Sequence, residues 1–265
     1  MVWASGMTPV QVERWHAAIE ERHSRRSYDG HHPDLADLDA LETLTTTFRP
    51  FPGARVALVR EASANLFVGI IGAYGGISGA RSALVFIGGK NTPPESVGYT
   101  GEALVLEATV RGLSTCWVGG MFSAAHAARS AGALGEERVF GISPVGHALE
   151  SVSLKERFVF KTGRPKRRRT VEEVAPGYGS WPTWAREAVL AVGAAPSAMN
   201  RQPWRFRLDG DALVVSFDGQ DTPRISKRLD CGIAMLHAEL GAATHGAPGT
   251  WELLGSPDVA RFTPG

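Results

Sequence analysis

Residues 195–206 read APSAMNRQPWRF, and the rest of the chain is organised around them. A Pro, a small hydroxyl, an Asn, a Gln and a Trp follow directly on a helical run that starts near Pro182. Proline lacks a backbone N–H and disfavours helical geometry in the residue before it, so this helix ends by Ala195. Ser197, Asn200 and Gln202 then fall on irregular backbone, ahead of Trp204 and Phe206, which open an extended apolar segment. Polar groups so placed have two readings: they read the polar edge of a flat ligand, or they cap and turn a helix end.

Downstream, residues 205–219, RFRLDGDALVVSFDG, carry an Asp-Gly turn between two extended runs, the pattern of a hairpin. A helix is expected over about 230–243 and a strand at TWELLG, 250–255. Upstream, the basic tract 164–169, RPKRRR, with Pro165 and Pro176, reads as a linker. Before it, helices and strands alternate. A helix over 8–22 has Thr8 as N-cap, Pro9 in its first turn and Val12, Trp15 and Ile19 on one face. A second helix over 33–47 aligns Leu35, Leu38, Leu41 and Leu44. Strands are expected over 55–60 and over 82–88, the latter a continuous apolar run of the buried central kind. A helix over 98–111 ends at Gly112 and leads to a strand over 113–118, LSTCWV, closed by Gly119 and Gly120. A short alanine-rich helix and a strand over 138–146 follow. GEALVLEATVRG from Gly101 and GIAMLHAELGAA from Gly232 share an apolar periodicity, each ahead of a candidate strand, which points to a duplication.

The chain has 265 residues, 43% hydrophobic and 21% charged, enough for a sizeable core. A formal net charge of +1 gives no general pull toward nucleic acid or an anionic membrane. Cys116 and Cys231 sit in apolar surroundings without metal-ligand spacing and are expected to be reduced and buried. The first residues, MVWASGMTPV, lack a basic stretch followed by an apolar run, and no segment reaches the roughly 18 apolar residues of a membrane helix. A cytoplasmic protein with no membrane and no nucleic-acid partner is expected. No nucleophile elbow, phosphate-binding glycine loop or zinc spacing is present.

Residues 195–206 closely resemble the PS-x-x-N-x-QPW-x-F segment of the FMN-dependent nitroreductase family. Residues 22–28, RHSRRSY, resemble that family's R-x-S-x-R/K-x-aromatic loop. GLSTCWVGG at 112–120 resembles its helix-to-strand segment beside the flavin ring, and PKRRRTVEEV at 165–174 its C-terminal K-x-R tail. The resemblance touches the chain from about Trp15 to Leu254. It implies an α+β fold with a central mixed sheet flanked by helices, and FMN as cofactor.

The order of the motifs departs from the family's. Ordinary members place the two motifs within a few tens of residues and form homodimers, with the arginine loop from one chain and the PS-x-x-N segment from the other. Here most of the sequence separates them, and FRPFPGARVALV, from Phe48, stands where the second motif would fall. The chain therefore resembles the sub-branch with two fused halves, a pseudo-dimer in one chain. The expected division is a first half over 8–160, a basic linker or tail over 161–179 and a shortened second half over 180–265. The second half has no arginine loop near Trp184 to Leu190, so one FMN per chain is expected, in a monomeric pseudo-dimer or weak homodimer.

By resemblance, Arg22, Ser24 and Arg26 hold the phosphate and the pyrimidine end of the ring, with His23 contributing its backbone or stacking. Lys166 and Arg168 match the tail's paired cations, with Arg167 and Arg169 turned outward. Pro196, Ser197 and Asn200 match the segment reaching the ring and ribityl chain, while Gln202 and Trp204 lock that loop into the core. Gly119 and Gly120 match the place where a backbone N–H approaches N5. The polar side chains ordinary members set at the pyrimidine edge are missing from GIIGAYGGISGARS, which leaves Tyr74 and Arg81 as nearest candidates. His237, Asp230 and Glu239, on an apolar helix, are read as structural. The resemblance implies a flavoprotein oxidoreductase passing hydride from NADH or NADPH through flavin N5 to a nitroaromatic, quinone or other unsaturated small-molecule acceptor. The flavin carries that chemistry, and no side chain is singled out as catalytic. The alternatives are a non-catalytic flavin-binding protein for storage, sensing or partner binding, and a fold relic with an empty site.

Overall fold

The structure is a computed structural model and describes residues 6–67, 76–120, 122–149, 167–222 and 225–265. Its first sheet holds β1 (Ala54–Val59), β2 (Ser82–Gly88), β3 (Ser114–Thr115) and β4 (Arg138–Gly146) in the order β1-β2-β4-β3. The second holds β5 (Trp204–Asp209), β6 (Ala212–Phe217), β7 (Gly249–Leu253) and β8 (Asp258–Pro264) in the order β5-β6-β8-β7. The two orders are the same permutation, and every pair within both sheets is antiparallel. Each sheet has one long helix between its second and third strands: α3 (Pro94–Val110) in the first, α7 (Lys227–Thr244) in the second.

One central mixed sheet was the expectation, and two separate antiparallel sheets are found. The reason lies in the helices. α3 packs on the first sheet, α7 on the second, and the two helices pack on each other, so the sheets share no edge. Among the described residues, parallel pairing is confined to isolated bridges, Ser24 to Thr115 and Ser27 to Ser78.

The α3–α7 contact has a local two-fold relation. A Cβ on Gly98 would overlap the carbonyl oxygen of Leu229, three residues before Gly232, and a Cβ on Gly232 would overlap that of Glu95, three residues before Gly98. Only glycine permits this approach from both sides. The contact pairs Gly98 with Gly232, three positions from the Gly101–Gly232 match read in the sequence. Helices rich in small residues match in several registers one turn apart, and the backbone contact selects one.

β2 is buried along its whole length, as its apolar run predicts. Leu84 and Phe86 face the main core with Trp15, Leu104, Leu213 and Phe262. Ala83, Val85 and Ile87 face a smaller cluster with Leu66 and Ile142. The flanking helices are α1 (Pro9–Glu21), α2 (Leu35–Thr47), α4 (Ala124–Ser130), α5 (Val171–Val174) and α6 (Thr183–Ala191). Thr8 caps α1 through a capping box with Gln11, as its position before Pro9 suggests. Of the expected linker, residues 167–179 are described, and there Thr170 and Glu173 form a second capping box on α5. His237 and Glu239 are buried and pair with α3: His237 Nε2 meets Glu102 Oε1 at 2.9 Å, and Tyr99 Oη donates to Glu239 Oε2 at 2.7 Å. Among the described residues no helix is long and apolar enough to cross a membrane, and no cluster of potential metal ligands is present.

Candidate functional site

The arginine loop follows directly from the end of α1, whose C-cap is Arg22. The loop is strapped to β3: Ser24 bridges Thr115, and the Arg25 N–H donates to the Thr115 carbonyl at 2.9 Å. Tyr28 fastens its far end, donating its hydroxyl to the Arg25 carbonyl at 2.8 Å. So held, Arg22, His23, Ser24 and Arg26 line a cavity of about 360 Å³.

The opposite wall is the stretch after α6. A short 3-10 turn, Val192–Ala194, ends ahead of Pro196, and the chain then enters strained backbone. Met199, Asn200 and Gln202 have φ of 52°, 50° and 47°. Left-handed conformations in non-glycine residues persist only where the surroundings fix them, and they concentrate at functional sites. Here the Gln202 N–H donates to Ser197 Oγ at 2.9 Å, and Asp230 at the start of α7 accepts from the Ala198 N–H at 3.1 Å and from Arg201 Nε at 2.5 Å. Pro196, Ser197 and Asn200 thereby line the same cavity as the arginine loop.

Arg168 enters between these walls. It donates to the carbonyls of Ala195 and Ala194 at 2.5 and 3.2 Å, and Arg22 Nη2 reaches the Ala194 carbonyl at 3.5 Å. Two guanidinium groups thus converge on carbonyls left open at a helix end, a favourable place for cations. Burial and the neighbouring Arg22 hold the Arg168 guanidinium below its ordinary pKa. Among the described residues neither arginine has a carboxylate partner within ion-pair distance. Arg22 is only 8% exposed, and its Nε has no hydrogen-bond partner. A buried donor without an acceptor costs about 1–3 kcal/mol, more when charged, and a bound anion would remove that penalty.

The rest of the wall is apolar. Trp117 stacks on Phe86 with ring centroids 3.9 Å apart, and its indole N–H donates to Glu102 Oε2 at 2.6 Å. Ile225, Leu229 and Ile233 extend this surface, and Met199, 61% exposed, stands at its rim. Among the described residues, Asp230 is the one carboxylate lining the cavity. Burial pushes its pKa up to about 6, with Arg201 acting in the opposite direction. The cavity therefore has a cationic end and an apolar wall, the form suited to a flat ligand bearing an anionic group.

Of the residues singled out in the sequence, Arg22, His23, Ser24, Arg26, Gly119, Arg168, Pro196, Ser197 and Asn200 meet around this cavity. Gly120 does not line it; its α-carbon lies beside Ile225. Lys166 and Tyr74 lie outside the described residues. Arg81 donates to the Gly30 carbonyl at 3.0 Å, away from the cavity. Arg167 and Arg169 turn outward to Glu173 and Asp218. Gln202 and Trp204 are buried, as loop locks should be. The strand expected over 113–118 is reduced to β3, because Cys116 and Trp117 leave the ladder to line the cavity before Val118 bridges Ile142. Trp117, Leu229, Asp230 and Ile233 line the cavity without being marked as site residues by the sequence motifs. For Leu229, Asp230 and Ile233 the signal is the position of α7 opposite α3, which the sequence repeat places one turn out of register.

A family model described as "Putative TM nitroreductase" matches residues 15–242. A solved structure from Thermotoga maritima, described as a putative nitroreductase, is 21% identical, with a TM-score of 0.62 over 95% of this chain and 94% of that one. A nitroreductase with bound FMN from Bacteroides fragilis is 17% identical, with a TM-score of 0.43 over 53% of this chain and 91% of that one. A protein described as a "Putative NADH dehydrogenase/NAD(P)H nitroreductase" from Parabacteroides distasonis is 17% identical, with a TM-score of 0.45 over 60% of this chain and 95% of that one. No curated protein matches by sequence. With the family model covering most of the chain and the fold shared over nearly its full length, this protein belongs to the nitroreductase family that the model describes.

Proposed function

We propose that this protein is an FMN-dependent oxidoreductase that takes hydride from NADH or NADPH and delivers it to a nitroaromatic, quinone or other unsaturated acceptor, with one FMN per chain. The observation that carries this reading is the pair Arg22 and Arg168. Both face one cavity, neither has a carboxylate partner among the described residues, and a buried Arg22 Nε lacks any acceptor. That chemistry fits a phosphate, and the apolar wall at Trp117 and Ile233 fits a flat ring system.

In this reading Arg22 and Arg168 hold the phosphate, and Ser24, Arg26 and His23 address the polar parts of the cofactor from the arginine loop. Pro196, Ser197 and Asn200 close on it from the opposite wall, and Gly119 leaves room for backbone to approach the ring. When bound, FMN supplies the two-electron chemistry; the side chains supply position, charge and exclusion of water. Asp230 is set apart by its Arg201 pair and serves the loop, so no side chain of the cavity is assigned as a proton donor.

The test is spectroscopic. Protein loaded with FMN and placed under anaerobic conditions should bleach on addition of NADH or NADPH and regain its colour when a quinone or nitroaromatic is added. Tight FMN binding with no bleaching by either donor would replace this reading with a non-catalytic flavin-binding protein. Failure to bind FMN would leave the fold without the function.

A further inference from the structure

Gln202 is 3% exposed and uses every polar atom of its side chain. Its Oε1 accepts the Arg169 N–H at 2.7 Å, and its Nε2 donates to the Arg167 carbonyl at 3.0 Å and to the Asn200 carbonyl at 2.9 Å. The Arg167 carbonyl belongs to the peptide group that precedes Arg168, and the Arg169 N–H to the peptide group that follows it. One side-chain amide therefore spans Arg168, fixing the backbone on both of its sides. The requirement is chemical: an acceptor must face Arg169 and donors must face the two carbonyls, which a primary amide supplies and a carboxylate does not.

The same residue belongs to the strained loop. Its backbone has φ 47°, and its N–H is held by Ser197. The head of Arg168 returns to the entry of that loop, on the carbonyls of Ala194 and Ala195. Arg168 is thus tied to the loop at both ends, by its backbone through Gln202 and by its guanidinium through the carbonyls. Those carbonyl bonds use two of the five guanidinium N–H groups.

We propose that Gln202 is a positioning residue for anion recognition: by clamping the backbone on both sides of Arg168 to the loop that carries Ser197 and Asn200, it sets the Arg168 guanidinium to receive a phosphate group. This rests on the cavity being a flavin-phosphate site. A lock that only kept the loop folded would disturb ring binding as much as phosphate binding. A clamp on Arg168 disturbs the phosphate selectively.

FMN and riboflavin share the ring and ribityl chain and differ in the phosphate, so their dissociation constants, measured by fluorescence titration of the apoprotein, separate the two. The wild-type protein should prefer FMN. Gln202→Ala should weaken FMN about tenfold while riboflavin changes less than about twofold, the loss of one charge-assisted contact. Gln202→Glu, equal in size, retains the acceptor for Arg169 and loses both donated bonds; it should show the same selective loss even if the alanine variant does not fold. Arg168→Ala should reduce the same preference at least as far, and adding Gln202→Ala to it should have no further effect on FMN, because the two residues act through one contact. Equal weakening of both ligands, or an unchanged ratio in both Gln202 variants, would overturn the role of Gln202. A wild-type protein that binds riboflavin as tightly as FMN would instead overturn the phosphate reading on which it rests.

Discussion

The loop before β1 and the loop before β5 occupy matching places in the two sheets, and they do opposite things. The second leaves the end of α6, adopts strained backbone and turns Ser197 and Asn200 to a cavity whose floor includes Ile233 of α7. The first leaves α2 and places Phe48 and Phe51 on Tyr99 of α3, the residue that the Gly98–Gly232 contact pairs with Ile233. Phe51 meets Tyr99 edge-on with centroids 5.2 Å apart, and Phe48 lies nearly parallel to it at 6.3 Å. Where one half keeps a space bordered by cations, the other fills the matching position with three aromatic rings. The anchors differ in the same way. Asp230 takes the Ala198 N–H and Arg201, whereas its counterpart Ser96 is a buried hydroxyl without a hydrogen-bond partner. Two sheets of the same strand order thus differ at matching loops, one bordering an open cavity and the other a packed cluster of rings.

The comparison breaks most visibly at the filled position. Phe48→Ala should cost about 3–5 kcal/mol of unfolding free energy in denaturant titration, as for a buried phenylalanine in close packing, while the wild-type FMN stoichiometry is retained. A loss below about 1 kcal/mol would mean that the rings are not a packed core.

The open side predicts a pH effect at Asp230. Its folded pKa, raised by burial to about 6 from an ordinary 3.8, lies above the unfolded value. The stability this group contributes is thus complete below about pH 4 and is lost as pH rises through about 6, a span of order 3 kcal/mol. Asp230→Asn lacks this dependence, so the wild-type protein should gain stability relative to the variant as pH falls from 7 to 4. Parallel stability profiles for the two would show that Arg201 compensates the carboxylate fully. Because the asparagine no longer pairs ionically with Arg201, FMN binding should weaken in this variant at pH 7 even where stability is retained.

Smaller effects sharpen the cationic end. Arg22→Ala and Arg26→Ala should each weaken FMN about tenfold in a titration at low salt, with the weakening reduced as salt is raised. Arg81→Ala should change FMN affinity by less than about twofold, since Arg81 serves Gly30 and not the cavity. A large effect at Arg81 would move the site toward the glycine-rich segment.

Much of this was legible in the sequence, for local reasons. Pro196 after an amphipathic run marks a helix end, the Asp-Gly turn marks the β5–β6 hairpin, and the apolar run at 82–88 marks a strand buried on both faces. The two motifs, RHSRRSY and APSAMNRQPWRF, named the walls of the cavity. What stayed hidden depends on long-range geometry. Strand pairing between distant segments decides between one mixed sheet and two antiparallel ones, and hydropathy carries no trace of it. The register of α3 against α7 is set by two glycines approaching carbonyls, while the residue pattern fits equally well one turn away. In sequence, Trp117 continues a strand, because nothing local shows that the ladder stops at Thr115. β8 was not anticipated, although Val259 and Phe262 are buried within it.

The contrast between an open and a filled half is tested most directly by titrating FMN into purified apoprotein and reading the bound equivalents per chain. One equivalent is expected, reduced to a weak, unsaturated curve in the Arg22→Ala, Arg168→Ala double variant and unaffected by the packing around Tyr99. Two equivalents per chain would contradict the filled half, and no binding at all would contradict the open one.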